Sequence, residues 1–203
     1  MDTTQYTTDD ILAYWFGDLD DDARAAAEQA SLWWKKDAAT DEDIRRRFEP
    51  QVLAAGQDKL DDWQATPEGR LALILLTDQF PRNIYRDTPE AFRFDGKARA
   101  LCVEGLELGQ AAHLRPIQRV FFYLPLEHSE DIDDQAWCVD LMRALARDVP
   151  EAWRSAFEGF VDYAEAHYRI IERFGRFPHR NRILGRESSD EEREFLTQPG
   201  SSF

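Results

Sequence analysis

The sequence predicts an all-α protein, and three observations carry that prediction. No stretch sustains the alternation of apolar and polar residues that a half-buried strand shows, and the Asp95-Gly96 pair sits in helical surroundings rather than between strands. Apolar residues recur instead at helical spacing, as in Ile44, Phe48 and Val52. Helix start and stop signals follow one another along all 203 residues, leaving only short connections. About nine or ten helices are expected, in antiparallel pairs within a single domain over 1–203, with a short polar tail at 1–6.

Taken in order, Thr7 with Asp10 caps a first helix that carries Ile11-Leu12-Ala13-Tyr14-Trp15-Phe16 and stops at Gly17. An acidic turn, Asp18–Asp22, leads to a second helix over Ala23–Lys36. Thr40 is placed to cap a third, with Pro50 off its apolar stripe and Gly56 as its stop. Leu60 and Trp63 suggest a short further helix. Thr66-Pro67-Glu68 combines a cap, a proline at the first helical position and an early acid. The helix it opens, Pro67–Phe80, is apolar nearly all round at Leu71–Leu76 and so belongs at the centre of the packing. Thr88-Pro89-Glu90 repeats the start signal, and Asp95 begins a helix running to Gly109. Arg115–Leu124 is expected to end near Pro125. Asp131 leads a helix with Ile132, Trp137, Leu141 and Leu145 on one face, and Pro150 opens the longest, Glu151–Phe174. Ser188 with Glu191 reads as the capping box of a last short helix. Trp15, Trp33, Trp34, Trp63 and Trp153 are expected to serve packing.

The bulk numbers narrow the function classes. Hydrophobic content of 43% suits a folded globular chain. A formal net charge of −15 repels a phosphate backbone, so nucleic acid and an anionic membrane surface are not expected partners. The longest aliphatic run, Leu71–Leu76, is far too short to span a bilayer, and the polar, acidic start does not read as a signal peptide. Cys102 and Cys138 lie far apart inside helical patterns, as reduced thiols of a cytoplasmic protein would. No cofactor motif is present, and no two histidines have the spacing of a helical metal clamp.

Two stretches concentrate polar chemistry just past helix ends. One is Arg173–Arg186, where Gly175 and Pro178 end the long helix and Arg176, His179, Arg180, Asn181, Arg182 and Arg186 follow. The other is Asp78-Gln79-Phe80-Pro81-Arg82-Asn83-Ile84, a helix that the proline is expected to stop, again followed by Arg-Asn. With Tyr14-Trp15-Phe16-Gly17 and Tyr123-Leu124-Pro125-Leu126-Glu127-His128-Ser129-Glu130, these stretches form a pattern covering nearly the whole chain. In it the chain resembles the bacterial family catalogued as domain of unknown function 924. The resemblance implies a tetratricopeptide-like fold, a curved stack of helix pairs with a concave face, and it brings no known reaction. No repeat of about 34 residues is visible in the sequence itself.

The chemistry of these residues supports three readings. In the first, an Arg/His/Asn-lined pocket binds a small anionic ligand or a peptide through Asp78, Arg82, Asn83, His167, Arg176, His179, Arg180 and Asn181, because guanidinium forks suit carboxylate and phosphate. In the second, a metal-free hydrolase or transferase uses His128 as general base, Glu127 or Glu130 to orient it, and the arginines as anion clamps. In the third, the arginines pair with Asp78, Glu127, Glu130 and Glu172 and only fasten a helical scaffold. Ser129 is read as the N-cap of the Ile132 helix, and His167, on an apolar stripe, doubles as a core residue. The oligomeric state is not legible in the sequence.

Overall fold

The computed structural model describes residues 6–17 and 21–202, so most of the expected polar tail and the first three residues of the Asp18–Asp22 turn lie outside it. Every regular element among the described residues is helical. The α-helices are α1 (Thr8–Phe16), α2 (Asp22–Trp34), α3 (Ala38–Gly56), α4 (Pro67–Ile74), α5 (Phe80–Ile84), α6 (Asp95–Glu107), α7 (Pro116–Glu127), α8 (Ile132–Asp148), α9 (Glu151–Phe174) and α10 (Asp190–Phe195). Short 3₁₀ turns at Asp61–Ala65, Pro89–Phe92, Gln110–His113 and Pro178–Arg180 join them.

Most starts follow from local capping. Thr7 and Asp10 form a reciprocal capping box, and Thr66 accepts from the Gly69 amide ahead of Pro67. Three caps differ from expectation by a few residues. Asp37, rather than Thr40, caps α3, and it does so by accepting from the Thr40 amide. Asp131, not Ser129, caps α8, because a carboxylate accepts both the Asp133 and Asp134 amides; Ser129 instead donates to Asp134 at 2.6 Å. The final capping box is Ser189 with Glu192, one residue later than expected.

Two prolines expected to stop helices do not. α4 runs into α5 through a π-helical turn at Leu75–Gln79, closed by the Phe80 amide on the Leu75 carbonyl. A proline cannot complete the α ladder and crowds the carbonyl four residues back; the wider turn before Pro81 accommodates both demands. Pro125 likewise lies inside α7, which continues to Glu127.

Burial centres on α4, where Leu71, Ala72, Leu73, Ile74, Leu75 and Leu76 are all fully enclosed. Around it Trp15, Phe16, Phe48, Phe80 and Phe121 meet ring to ring, and the Trp33 indole donates to the Trp15 carbonyl at 2.9 Å. Trp34 departs from the packing expectation: it stacks at 5.7 Å from Phe121 but stays half exposed. The buried face of α8 is also rotated from the expected one. Gln135, Cys138, Val139, Met142 and Leu145 face inward while Ile132 and Trp137 are exposed. In sequence order α6 packs on α7, α7 on α8 and α8 on α9. The π turn between α4 and α5, the C-terminal end of α7 and the segment after α9 are thereby brought together, where they are joined by side chains.

Candidate functional site

The π turn matters because it sets where Asp78 points. The Asp78 side chain is only 1% exposed and takes the Nδ1 of His128 at 2.8 Å on one oxygen and 3.0 Å on the other. Gln79 Nε2 donates to the same carboxylate at 2.6 Å, and Arg82 Nη1 stands 3.2 Å away. Burial works against the charge on Asp78, but Arg82 and His128 together hold the carboxyl well below its ordinary range. An ionised carboxylate only accepts, so the His128 proton sits on Nδ1 and its Nε2 carries the lone pair. His128 ends α7, and its side chain keeps 15% of its surface exposed. Desolvation, followed by the Arg82 charge, pushes the imidazole below its ordinary pKa of 6.5, so it is neutral near pH 7.

The segment after α9 closes over this pair. Gly175, left-handed at φ 65°, turns the chain and returns its amide to Ile171. Arg180 then reaches in, donating from Nη1 to the His128 carbonyl at 3.1 Å. Its guanidinium lies 4.4 Å from the Phe177 ring centroid and 4.9 Å from that of Phe92. Burial, then the Arg82 charge, lowers Arg180 to about 10, so it stays cationic. Its Nε is buried with no hydrogen-bond partner among the described residues. Asp95, at the start of α6, gives both oxygens to the Arg82 fork at 2.9 and 3.0 Å.

Behind His128 lie His167 and His179. The His167 ring is 6.3 Å from His128 and 5.5 Å from Phe177, and His179 is 5.6 Å from Phe177. Burial depresses both imidazoles, His167 to about 3 and His179 to about 4. Glu127 shows the opposite effect of the same environment: burial, with Asp78 adding, pushes its carboxyl up to about 8. It faces His167 Nδ1 at 3.4 Å and the Cys138 thiol at 4.0 Å.

Asp78, Arg82, Glu127, His128, His167, His179 and Arg180 therefore share one cluster, although they are spread across half the sequence. Of the other expected site residues, Asn83, Arg176 and Asn181 turn to other partners, and Glu130 stands at the edge of the cluster, where its charge acts on Arg180 and His179. Asn83 donates to Asp41, which the Arg86 fork also holds. Arg176 forks Glu192 at 2.6 and 2.8 Å, and Asn181 bridges Ser188 and Arg186. Glu130 is taken by Arg186 at 2.6 and 2.9 Å and by the Phe177 amide. The carboxylate expected from Glu127 or Glu130 to orient His128 is thus that of Asp78: a residue beside or two away from His128 on a helix end points elsewhere. Asp95, Phe92 and Phe177 were not signalled by the sequence as site residues. Among the described residues no group of three or more His, Cys, Asp or Glu side chains is arranged to hold a metal ion. An open depression of about 580 Å³, lined by Arg143, Arg147 and Arg154 among others, shares no residue with the cluster.

An all-helical protein with a buried carboxylate–imidazole pair beside a stacked arginine is the class that fold and cluster define. The chain belongs to the bacterial family of proteins of unknown function designated DUF924, whose family model matches residues 11–200. It is similar to a solved protein of unknown function from Agrobacterium tumefaciens, with 40% identity and a TM-score of 0.73 over 87% of this chain and 98% of that one. No curated protein matches it.

Proposed function

We propose that this chain is an acid–base enzyme of the hydrolase or transferase type, acting on a small anionic substrate in a tetratricopeptide-like helical frame in the cytoplasm. His128 is the general base, Asp78 holds its tautomer, and Arg180 recognises the anion. The observation that supports this reading is the Asp78–His128 contact at 2.8 Å, with the carboxylate buried and the imidazole partly exposed. A buried carboxylate on Nδ1 leaves Nε2 as the basic nitrogen, and no hydrogen-bond partner among the described residues occupies it; this is the division of labour a general base needs. The buried, reduced thiols of Cys102 and Cys138 suit a cytoplasmic setting.

A binding-only role is the second reading, favoured by the buried Nε of Arg180 that lacks a hydrogen-bond partner among the described residues. It rests on Arg180 alone, because Arg82, Arg176 and Asn181 spend their donors on internal partners. The test compares the parent with His128→Ala and Asp78→Asn across a panel of esters, phosphoesters and amides. Turnover in the parent, lost in both variants while anion binding persists, supports the enzyme. Stoichiometric anion binding without turnover, or normal turnover by His128→Ala, overturns it.

A further inference from the structure

The surroundings of Arg180 bear on which anion the site would take, an inference that rests on the reading of Arg180 given above. Three of its features matter together. First, Nη1 is committed to the His128 carbonyl at 3.1 Å, while Nε is buried without a hydrogen-bond partner among the described residues. An unmet guanidinium donor in a desolvated setting costs free energy until an acceptor reaches it. Second, the rings of Phe92 and Phe177 lie against the guanidinium at 4.9 and 4.4 Å, so its in-plane edge is the direction left for a guest. A flat carboxylate approaches such an edge in plane, whereas a tetrahedral sulfate or phosphate projects oxygens above and below it. Third, Asp95 Oδ2 stands 3.9 Å from Arg180 Nη1, too far to satisfy it, because the Arg82 fork holds both Asp95 oxygens. Asp95 therefore offsets part of the attraction of Arg180 for any anion. Because the cost of desolvating a guest grows with the square of its charge while the remaining attraction grows only in proportion, a dianion is disfavoured more than a monoanion.

We propose that the site selects a planar, singly charged carboxylate, and that Asp95 is the residue that rejects dianions. The anion is seated on the Nε edge of Arg180, one side chain away from the base. Asp95 touches neither His128 nor the guest in this arrangement; it acts through charge, held in place by Arg82. The conformations of Phe92 and Phe177 supply the flat slot, and Asp95 supplies the charge filter. Such division is a form of selection against the wrong ligand rather than for the right one.

The experiment titrates acetate and sulfate separately into the full chain near neutral pH, at matched ionic strength, for the parent and for Asp95→Asn and Asp95→Ser. Binding is read by calorimetry and by chemical-shift change at the arginine side chains. The expected result is saturable acetate binding by the parent with sulfate at least about tenfold weaker, and a rise of about tenfold or more in sulfate affinity in both variants. Asp95→Glu, which keeps the charge, should keep the selectivity, and circular dichroism confirms that each variant is folded. Sulfate bound as tightly as acetate by the parent, or an unchanged ratio in the neutral variants, overturns the carboxylate assignment and leaves the acid–base reading standing. Failure of both anions to bind parent and variants alike overturns this inference together with the anion-recognising role of Arg180.

Discussion

A histidine serves as a base near neutral pH when its proton is held on one nitrogen and the other is left basic. At His128 burial and Arg82 lower the pKa while Asp78 fixes the tautomer, so both conditions are met by different neighbours. The base must be unprotonated to work, and its pKa lies below 6.5; turnover should therefore rise with pH through a midpoint under that value and level off above it. A profile still climbing past neutrality would contradict the assignment. Asp78→Asn removes the carboxylate that keeps the proton on Nδ1, and kcat should drop by roughly 10²–10⁴ with little change in KM. Because the change is nearly isosteric, circular dichroism should show an intact helical fold.

At the scale of elements, a glycine inside α9 and the one that caps its C-terminal end make opposite predictions. Gly159 is inside α9 with nothing within 4 Å of a built Cβ, so Gly159→Ala should stabilise by about 0.5–1 kcal/mol through the lower entropy of the unfolded chain. Gly175 also has open space around it, but its φ of 65° strains any side chain, and Gly175→Ala should cost about 1 kcal/mol. Thermal melts of the two variants against the parent check both signs. The same turn delivers Phe177 and Arg180 to the cluster, so Gly175→Ala should also weaken anion binding while Gly159→Ala leaves it unchanged. The π turn before Pro81 is a second such element. Deleting Leu75, Leu76 or Thr77 would restore an α register and swing Asp78 by about 100° off His128. The His128 imidazole nitrogen shifts should then lose the signature of the Asp78 hydrogen bond.

For the molecule as a whole, the cluster governs how stability depends on pH. His167 and His179 have folded pKa values of about 3 and about 4 against an ordinary 6.5, so the unfolded chain binds more protons between those values and stability falls as pH drops below 6.5. Glu127 acts in the opposite direction. Its folded pKa is raised from 4.5 to about 8, so the folded chain holds a proton that the unfolded chain has released, and stability falls as pH rises across that interval. The histidines outweigh one carboxyl below 6.5 and no longer contribute above it. The melting temperature should therefore peak near pH 6.5 and decline on both sides. Glu127→Gln should abolish the decline between the peak and about pH 8 and make the fall on the acid side steeper, because the carboxyl no longer opposes the histidines between pH 4.5 and 6.5. The fastening of the C-terminal segment is testable in the same way. Arg186 forks Glu130 and also bonds Asn181 and the Phe177 carbonyl, so Arg186→Ala should cost about 1–3 kcal/mol and loosen Phe177 and Arg180 together.

The sequence alone determined the helical class, most helix starts and the central place of α4, since capping, periodicity and an all-round apolar run are local signals. It also pointed to Asp78, Arg82, His128, His167, His179 and Arg180, because polar residues gathered just past helix ends are visible without coordinates. Which carboxylate meets which cation was decided only by tertiary structure. Asp78 rather than Glu127 or Glu130 came to His128 because a π turn re-aimed it, and the proline that prompted it reads in sequence as a stop. Asn83, Arg176 and Asn181 carry the same motif chemistry as their neighbours, yet they turn to Asp41, Glu192 and Ser188. In a chain with 40 acidic residues, every arginine has many possible partners at the level of composition. Only the packing of distant helices brings one of them within reach, and only burial sets the protonation state in which it is held.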